Sequence, residues 1–376
     1  MTALLEARQV SKIFGGGLFD KRVTVALDDF SFSIESTPPR VTAIVGESGS
    51  GKTTLARLFL GLISPSAGEV LYNGTDLRKL QRDERRTFLR DVQMIFQDPY
   101  EVYNPFYKVD HVLETPISEF KLASGRQARR ALIHESLRAV GLRPDETLGR
   151  YPHQLSGGQR QRIMVARAVL LRPKLIIADE PVSMVDASLR ATILDSLRQL
   201  NRDYGMSIVY ITHDLTTAFQ ISDNIIVLYR GSVSEAGDVD LVVGQPRHPY
   251  TQLLINSVPE PDPTHPWGAV EIRTDVGEVS NGATQVELNA PVGLLPASAS
   301  ASAAAKARGG HLISGCTFAD RCPHVMAMCR DNVPPLYRLD PSRAASCFLY
   351  RDKAASMALE ELNDVMSAAG SAARSG

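Results

Sequence analysis

Three short apolar runs set the frame of this chain: Val41-Thr42-Ala43-Ile44-Val45, Leu175-Ile176-Ile177-Ala178 and Ser207-Ile208-Val209-Tyr210-Ile211-Thr212. Each reads as a buried strand, and each ends on a glycine or a polar residue, respectively Gly46, Asp179 and His213. Open α/β sheets place their ligands at such strand ends. Asn224 to Tyr229 and Ser232-Val233, split by Arg230-Gly231, read as a hairpin. From about residue 98 to 165 the pattern turns helical and more charged; one helix, from Ala128 to Val140, stops at Gly141. Residues 1–255 therefore predict an α/β core with an inserted helical subdomain. After residue 257 the texture changes. Pro259, Pro261, Pro263 and Pro266 argue against regular structure, and Ala297 to Ala305 is nearly pure Ala and Ser. Residues 256–312 read as a Pro- and Ala/Ser-rich linker, 313–350 as a cysteine-bearing module and 351–376 as a tail with one helical stretch.

Composition narrows the function. The chain has 376 residues, 44% of them apolar and 22% charged, with 41 basic against 42 acidic side chains. That balance excludes an ordinary nucleic-acid binder, which would be basic. No apolar run approaches the roughly 20 residues that span a bilayer. Met1 to Lys12 carries Glu6 and Arg8 and lacks a signal-peptide core. The expectation is a cytoplasmic protein whose membrane role, if any, comes through partners. The mixed charge run from Arg78 to Arg86 reads as a solvated helix.

Gly46-Glu47-Ser48-Gly49-Ser50-Gly51-Lys52-Thr53 fits G-x-x-x-x-G-K-[ST], follows a predicted strand and opens a predicted helix. In such a loop successive backbone N–H groups cradle phosphate oxygens, and the helix N-terminus adds partial positive charge. Gly46, Ser48, Gly49, Ser50, Gly51, Lys52, Thr53 and Thr54 are the candidate triphosphate ligands, with Lys52 on the β- and γ-phosphates and Thr53 on Mg²⁺. Asp179 ends a strand expected beside the loop strand, which would bring it to Mg²⁺, and Glu180 would take a proton from the attacking water.

Leu155-Ser156-Gly157-Gly158-Gln159 is a second glycine-rich helix start. By itself it is also a plain serine N-cap. In order with the other motifs it resembles the ATP-binding-cassette family. The resemblance runs from near the N-terminus to about residue 255 and implies a P-loop NTPase cassette. Gly46 to Thr53 matches the family's Walker A motif, Gln97 its Q-loop, Leu155 to Gln159 its signature, Asp179-Glu180 the end of Walker B, Ser183-Met184-Val185-Asp186 its D-loop and His213 its switch histidine. The D-loop's middle pair is more usually Ala-Leu; Asp186 is kept. The resemblance implies Glu180, His213 and Gln97 in catalysis, and Gln97 with Thr53 and Asp179 near Mg²⁺. It also implies Phe14 stacked on adenine, against the alternative of a first-strand core residue. Two ATPase subunits would pair head to tail, each ATP lying between one P-loop and the other subunit's Ser156, Gly157, Gly158 and Gln159, with Asp186 nearby.

Phe96-Gln97-Asp98-Pro99-Tyr100, Asn104-Pro105, Glu180-Pro181-Val182-Ser183, His248-Pro249-Tyr250, Pro259-Glu260-Pro261 and Gly277-Glu278-Val279 are similar to segments of the peptide-importer ATPases. This implies import of oligopeptides or dipeptides at the cytoplasmic face of the membrane. The partners would be two integral-membrane permease subunits, a second ATPase subunit (a paralogue or a copy of this chain) and an extracytoplasmic solute-binding protein, with no nucleic acid. Nickel and oligosaccharide importers share the pattern. A soluble cassette ATPase of DNA repair or translation is the rival from another class, and one cassette without sustained heptads argues against it. The signature argues against a kinase on the same core.

Cys316, Cys322, Cys329 and Cys347 are spaced C-x5-C-x6-C-x17-C. Four thiolates meeting at a point would hold Zn²⁺ or a [4Fe–4S] cluster. The spacing fits neither a zinc knuckle nor a bacterial ferredoxin run. Gly315-Cys316-Thr317-Phe318 and Arg321-Cys322-Pro323 resemble the cysteine motif of the peptide-importer extension, which in some members implies a structural [4Fe–4S] cluster. Four packed, reduced thiols are the alternative.

Overall fold

The structure, a computed structural model, describes residues 3–15, 23–98, 103–258 and 312–368. Pro99, Tyr100, the proline cluster after Val258, Gly277 to Val279, the Ala/Ser run and the last eight positions lie outside the described residues.

The strands are β1 (Leu5–Gly15), β2 (Val23–Ile34), β3 (Val41–Val45), β4 (Ala67–Tyr72), β5 (Thr75–Asp76), β6 (Val92–Ile95), β7 (Leu175–Asp179), β8 (Ser207–Thr212), β9 (Asn224–Tyr229), β10 (Ser232–Asp238), β11 (Leu336–Asp340), β12 (Arg343–Ala345) and β13 (Ser356–Met357). The helices are α1 (Lys52–Phe59), α2 (Arg82–Asp91), α3 (Asp110–Glu119), α4 (Arg126–Ala139), α5 (Pro144–Thr147), α6 (Gly157–Val169), α7 (Ala187–Tyr204), α8 (Leu215–Ile221), α9 (Val239–Gly244), α10 (Pro249–Asn256), α11 (Ala327–Asp331) and α12 (Leu362–Ala368). None of the described helices is long and apolar enough to cross a membrane.

The main sheet runs β13-β11-β12-β10-β9-β3-β8-β7-β6. Its centre, β6 to β9 with β3, is parallel. The central strands are apolar at successive positions because both faces are covered. Val41, Ala43 and Val45 of β3, Ile176 and Ala178 of β7, and Ile208 and Tyr210 of β8 enter one core with α3, α4, α6 and α7. Ile44, Ile177, Val209 and Ile211 enter a second core on the other face, with α1 and the separate antiparallel sheet β2-β1-β4-β5. One expectation needs correcting: β7 is not beside β3. Strand β8 lies between them, paired to both. Asp179 still reaches the loop, because both strands end at the same level of the sheet and Thr53 bridges the gap.

The hairpin β9-β10 forms as expected. What the sequence did not suggest is that the C-terminal segment continues this sheet. β12 pairs antiparallel with β10, Ala236 opposite Ala344, and β11 and β13 follow. Leu362, Val365 and Met366 of α12 are buried in the second core. The end of α12 is held by Arg40, whose Nη2 donates to Ser367 O at 3.0 Å, and by Asn224 Nδ2 donating to Met366 O at 3.0 Å. Helix-end carbonyls need such donors.

The join to α10 is polar and buried. Glu235 of β10 accepts from the backbone N–H groups of Arg247 and His248 at 3.0 and 2.8 Å. Burial holds its carboxyl above the usual range. His248 caps α10, its Nδ1 accepting from Tyr250 N at 3.0 Å. Its ring also bonds the backbone of Ser346, but burial pulls the imidazole down to about 4. The unfolded chain takes a proton on this ring near pH 6.5, and the folded chain does not until about pH 4. Stability is therefore lost as pH falls through that window, by on the order of 3 kcal/mol from this ring. His248→Asn, which keeps a good cap, should flatten the slope. Urea melts of both proteins at pH 7 and pH 4.5 measure it; parallel slopes would clear His248 of responsibility.

Candidate active site

The loop between β3 and α1 crosses the end of the main sheet. It passes so close to neighbouring backbone that side chains would not fit at two positions. A Cβ on Gly46 would lie 2.2 Å from Leu228 O, and one on Gly51, whose φ is +105°, would lie 2.3 Å from Ala26 O. These contacts fix the curl of the loop. Ser50 Oγ is buried inside it without a partner. Lys52 is buried at the start of α1, its Nζ donating to Gly46 O at 2.7 Å and to Glu47 O at 2.9 Å. Burial lowers its pKa, while Glu180, Asp179 and Glu47 pull the other way.

Asp179 is buried where β7 ends. Burial raises its pKa, and a hydrogen bond from Thr53 works against that rise. Its Oδ1 has no partner. A buried carboxylate oxygen left open beside a threonine hydroxyl and the glycine-rich loop suits a hard divalent cation, which takes oxygen ligands.

Glu180 follows in the left-handed region, at φ 44°. Its N–H donates to Ile211 O at 2.8 Å, and Ser183 Oγ donates to its carbonyl at 2.9 Å, so both neighbours fix the turn. Its carboxylate lies between two polar side chains. His213 Nδ1 is 2.9 Å from Oε1, and Gln97 Nε2 donates to Oε2 at 3.2 Å. Gln97 follows β6 and His213 follows β8, the strands flanking β7. Asp214 steadies the His213 turn by capping α8, accepting from Thr216 N at 2.9 Å. Gln97, Glu180 and His213 thus meet at one point beside Asp179 and the loop, as their order in the sequence suggested.

Ser156 is the N-cap of α6, accepting from Gln159 N at 3.2 Å while Gln159 Oε1 accepts from Ser156 N at 3.0 Å. The plain capping role and an exposed helix start coexist here. A Cβ on buried Gly158 would lie 2.8 Å from Leu189 Cδ1. Met184 of the adjoining turn is 60% exposed, and Asp186 is the N-cap residue before α7. No hydrogen bond among the described residues joins Ser156 to Gln159 with Gly46 to Thr53. Phe14, near the end of β1, is 42% exposed with Lys12 Nζ 5.2 Å from its ring centre, so it is not a core residue.

Two groups near the loop were not anticipated. Tyr250 Oη accepts from Glu47 N at 2.9 Å, and Arg321 Nη1 donates to the Glu47 carboxylate at 2.9 Å. His248-Pro249-Tyr250 and Arg321-Cys322 were legible as motifs, but no local pattern reveals contacts across such sequence distances.

The four cysteines are all free thiols. Cys316, Cys322 and Cys329 all lie within electrostatic reach of Cys347. Burial and the other three thiols push Cys347 up to about 12, and Cys316 and Cys322 are raised by burial and by Cys329. The donor type suits a thiophilic metal, but the placement does not fit one. Among the described residues no three His, Cys, Asp or Glu side chains are arranged to hold a metal ion. Cys329 instead packs with Ala319 and Phe348, with Cys316 against them. This placement gives a cluster or a zinc ion no support.

Residues 27–183 match the ABC transporter family, and residues 234–284 and 286–329 match the family described as oligopeptide/dipeptide transporter, C-terminal region. The chain is 38% identical over 349 residues to the putative oligopeptide transport ATP-binding protein YkfD of Bacillus subtilis, covering 93% of this chain and 96% of the relative. It is 37% identical to the di/tripeptide transport ATP-binding protein DppF of Pseudomonas aeruginosa, with 92% and 97% covered. It is 38% identical to the oligopeptide transport ATP-binding protein OppF of Salmonella typhimurium, with 78% and 79% covered. Among solved structures, a dimeric post-hydrolysis state of the ATP-binding cassette MJ0796 bound to ADP and Pi is similar at a TM-score of 0.55 and 29% identity. It covers 62% of this chain and 98% of that one.

Proposed function

Because this chain belongs to the ATP-binding subunits of oligopeptide and dipeptide ABC transporters, we infer that it hydrolyses ATP at the Gly46 to Thr53 loop to drive peptide import. The observation that carries the chemistry is the Glu180 carboxylate, held by Gln97 and His213 beside Asp179. In this reading the loop amides and Lys52 bind the triphosphate. Lys52 exchanges its two carbonyl acceptors for phosphate oxygens. Thr53, Asp179 and Gln97 would hold Mg²⁺, which supplies charge neutralisation on the β- and γ-phosphate oxygens. Glu180 accepts a proton as water attacks the γ-phosphorus and the bond to ADP breaks, giving ADP and phosphate. His213 and Gln97 fix the carboxylate, and Phe14 offers its exposed face to adenine.

Residues 1–255 act as the cassette. The subdomain at about 98–165 faces two membrane permeases, which receive peptide from an extracytoplasmic binding protein and hold this chain at the cytoplasmic face of the membrane. Gln161 Nε2, donating to Phe96 O at 3.3 Å, ties α6 to the segment carrying Gln97, a short physical route between signature and γ-phosphate. Uptake of labelled di- to pentapeptides in cells producing the wild-type chain, against cells producing Glu180→Gln, tests the function. Peptide uptake should be lost in the variant while nickel and oligosaccharide uptake persist; unchanged peptide uptake overturns it.

The signature helix start makes no bond to this chain's own loop among the described residues, so a second ATPase subunit is the natural source of the missing half-site. Gly158→Asp, which adds bulk where Leu189 packs, and Lys52→Ala should each abolish hydrolysis. If two copies pair, mixing the variants leaves one intact site in each mixed dimer, and part of the activity returns. Full activity of an isolated monomer would refute trans pairing.

A further inference from the structure

We propose that Arg321 and Tyr250 are positioning residues for the ATP site, fixing the phosphate loop through Glu47 and making the C-terminal module a working part of it. This rests on the reading of Gly46 to Thr53 as the ATP site.

Glu47 is tethered at every polar group it has. Its N–H donates to Tyr250 Oη at 2.9 Å, its carboxylate accepts from Arg321 Nη1 at 2.9 and 3.1 Å, and its carbonyl accepts from Lys52 Nζ at 2.9 Å. The first two tethers come from outside the loop. The third is internal; when Lys52 turns to the phosphates that carbonyl keeps only the Ser50 N–H at 3.1 Å, from within the loop itself. The loop works only if its amides stay aimed while that exchange occurs.

The outside anchors are themselves rigid. Tyr250 is fully buried, 4.4 Å from the Tyr229 ring and 5.5 Å from the Phe318 ring, centre to centre. The Arg321 guanidinium lies 5.8 Å from the Tyr229 ring centre and 5.7 Å from that of Phe318, three positions earlier in the same turn. Arginine held on aromatic faces has little freedom left to lose on pairing. The pair also has an electrostatic use. An unpaired Glu47 carboxylate on the loop would repel a triphosphate, and Arg321 neutralises it.

Both partners are 40% exposed, so the effect is modest, about two- to five-fold, in the range of an exposed ion pair. The test is a double-mutant cycle on the full chain, with the Kd of a fluorescent ATP analogue and the KM and kcat for ATP as readouts. Arg321→Gln should raise Kd and KM about two- to five-fold in the wild-type background, with kcat within about twofold, and have almost no effect in the Glu47→Gln background. Tyr250→Phe, which keeps the packing, is the second arm. It should raise KM without lowering the melting temperature by more than a few degrees. An Arg321→Gln protein with native Kd, or one weakened equally in both backgrounds, overturns the Arg321 role. A Tyr250→Phe protein with native KM overturns the tyrosine's. A wild-type chain that binds no ATP would instead overturn the underlying assignment of the loop.

Discussion

Glu180→Gln should slow ATP hydrolysis by about 10²- to 10⁴-fold while leaving ATP binding near native. Glutamine keeps the size and can still bond His213 and Gln97, but it cannot take the proton of the attacking water. The substitution therefore removes proton acceptance and little else. A second consequence follows from trans pairing. Bound ATP that is not cleaved should hold two subunits closed, visible as a nucleotide-dependent dimer by light scattering. The comparison to make is single-turnover hydrolysis of wild type and variant at saturating ATP. A variant that turns over at the native rate would move the base elsewhere, with His213 the next candidate because it lies 2.9 Å from the same carboxylate.

Lys52→Ala should weaken ATP binding by at least about 10- to 100-fold, the range for removing a hydrogen bond to a charged group. Two losses combine. The triphosphate loses its buried cation, and the empty loop loses the donor that joins Gly46 O and Glu47 O. Calorimetric titration with ATP and Mg²⁺ measures the first. The fold should stand, because Gly46 and Gly51 are still wedged against Leu228 and Ala26. Native affinity in the variant would mean that the loop amides alone hold the phosphates.

The parts of the site that were legible in the sequence share one property: each follows directly from a local pattern. The runs at Val41, Leu175 and Ser207 were readable because strands covered on both faces are apolar throughout, and the residues closing them had to lie at one edge of the sheet. That was enough to place Lys52, Asp179, Glu180 and His213 together. Strand order was not readable, because pairing is non-local. Hence β8 sits where the sequence suggested direct contact of β3 and β7. The sheet β2-β1-β4-β5 was missed, since β1 is broken by register shifts after Ala7 and Val10 that spoil its alternation. β11, β12 and β13 are too short to carry a period. The cysteine motif suggested a [4Fe–4S] cluster or a zinc ion, which the placement of the four thiols does not support; spacing along the chain does not fix where side chains meet. The bonds from Tyr250 and Arg321 to Glu47 had no local signature at all.

The pairing of β12 with β10 has a consequence for the order in which this protein is made. β10 is complete once Asp238 has been synthesised, but its partner begins at Arg343. At about 5–20 residues per second, the edge waits on the order of ten seconds in the nascent chain. An unpaired strand edge invites pairing with other chains. Glu235, buried on that strand, binds the Arg247 and His248 amides in the finished fold, and these are made soon after it, so the acid is expected to disfavour such pairing in the interval. The residues that later lock α10 beneath the loop of Gly46 to Thr53 are thus expected also to guard the open flank of the sheet until β12 arrives to close it.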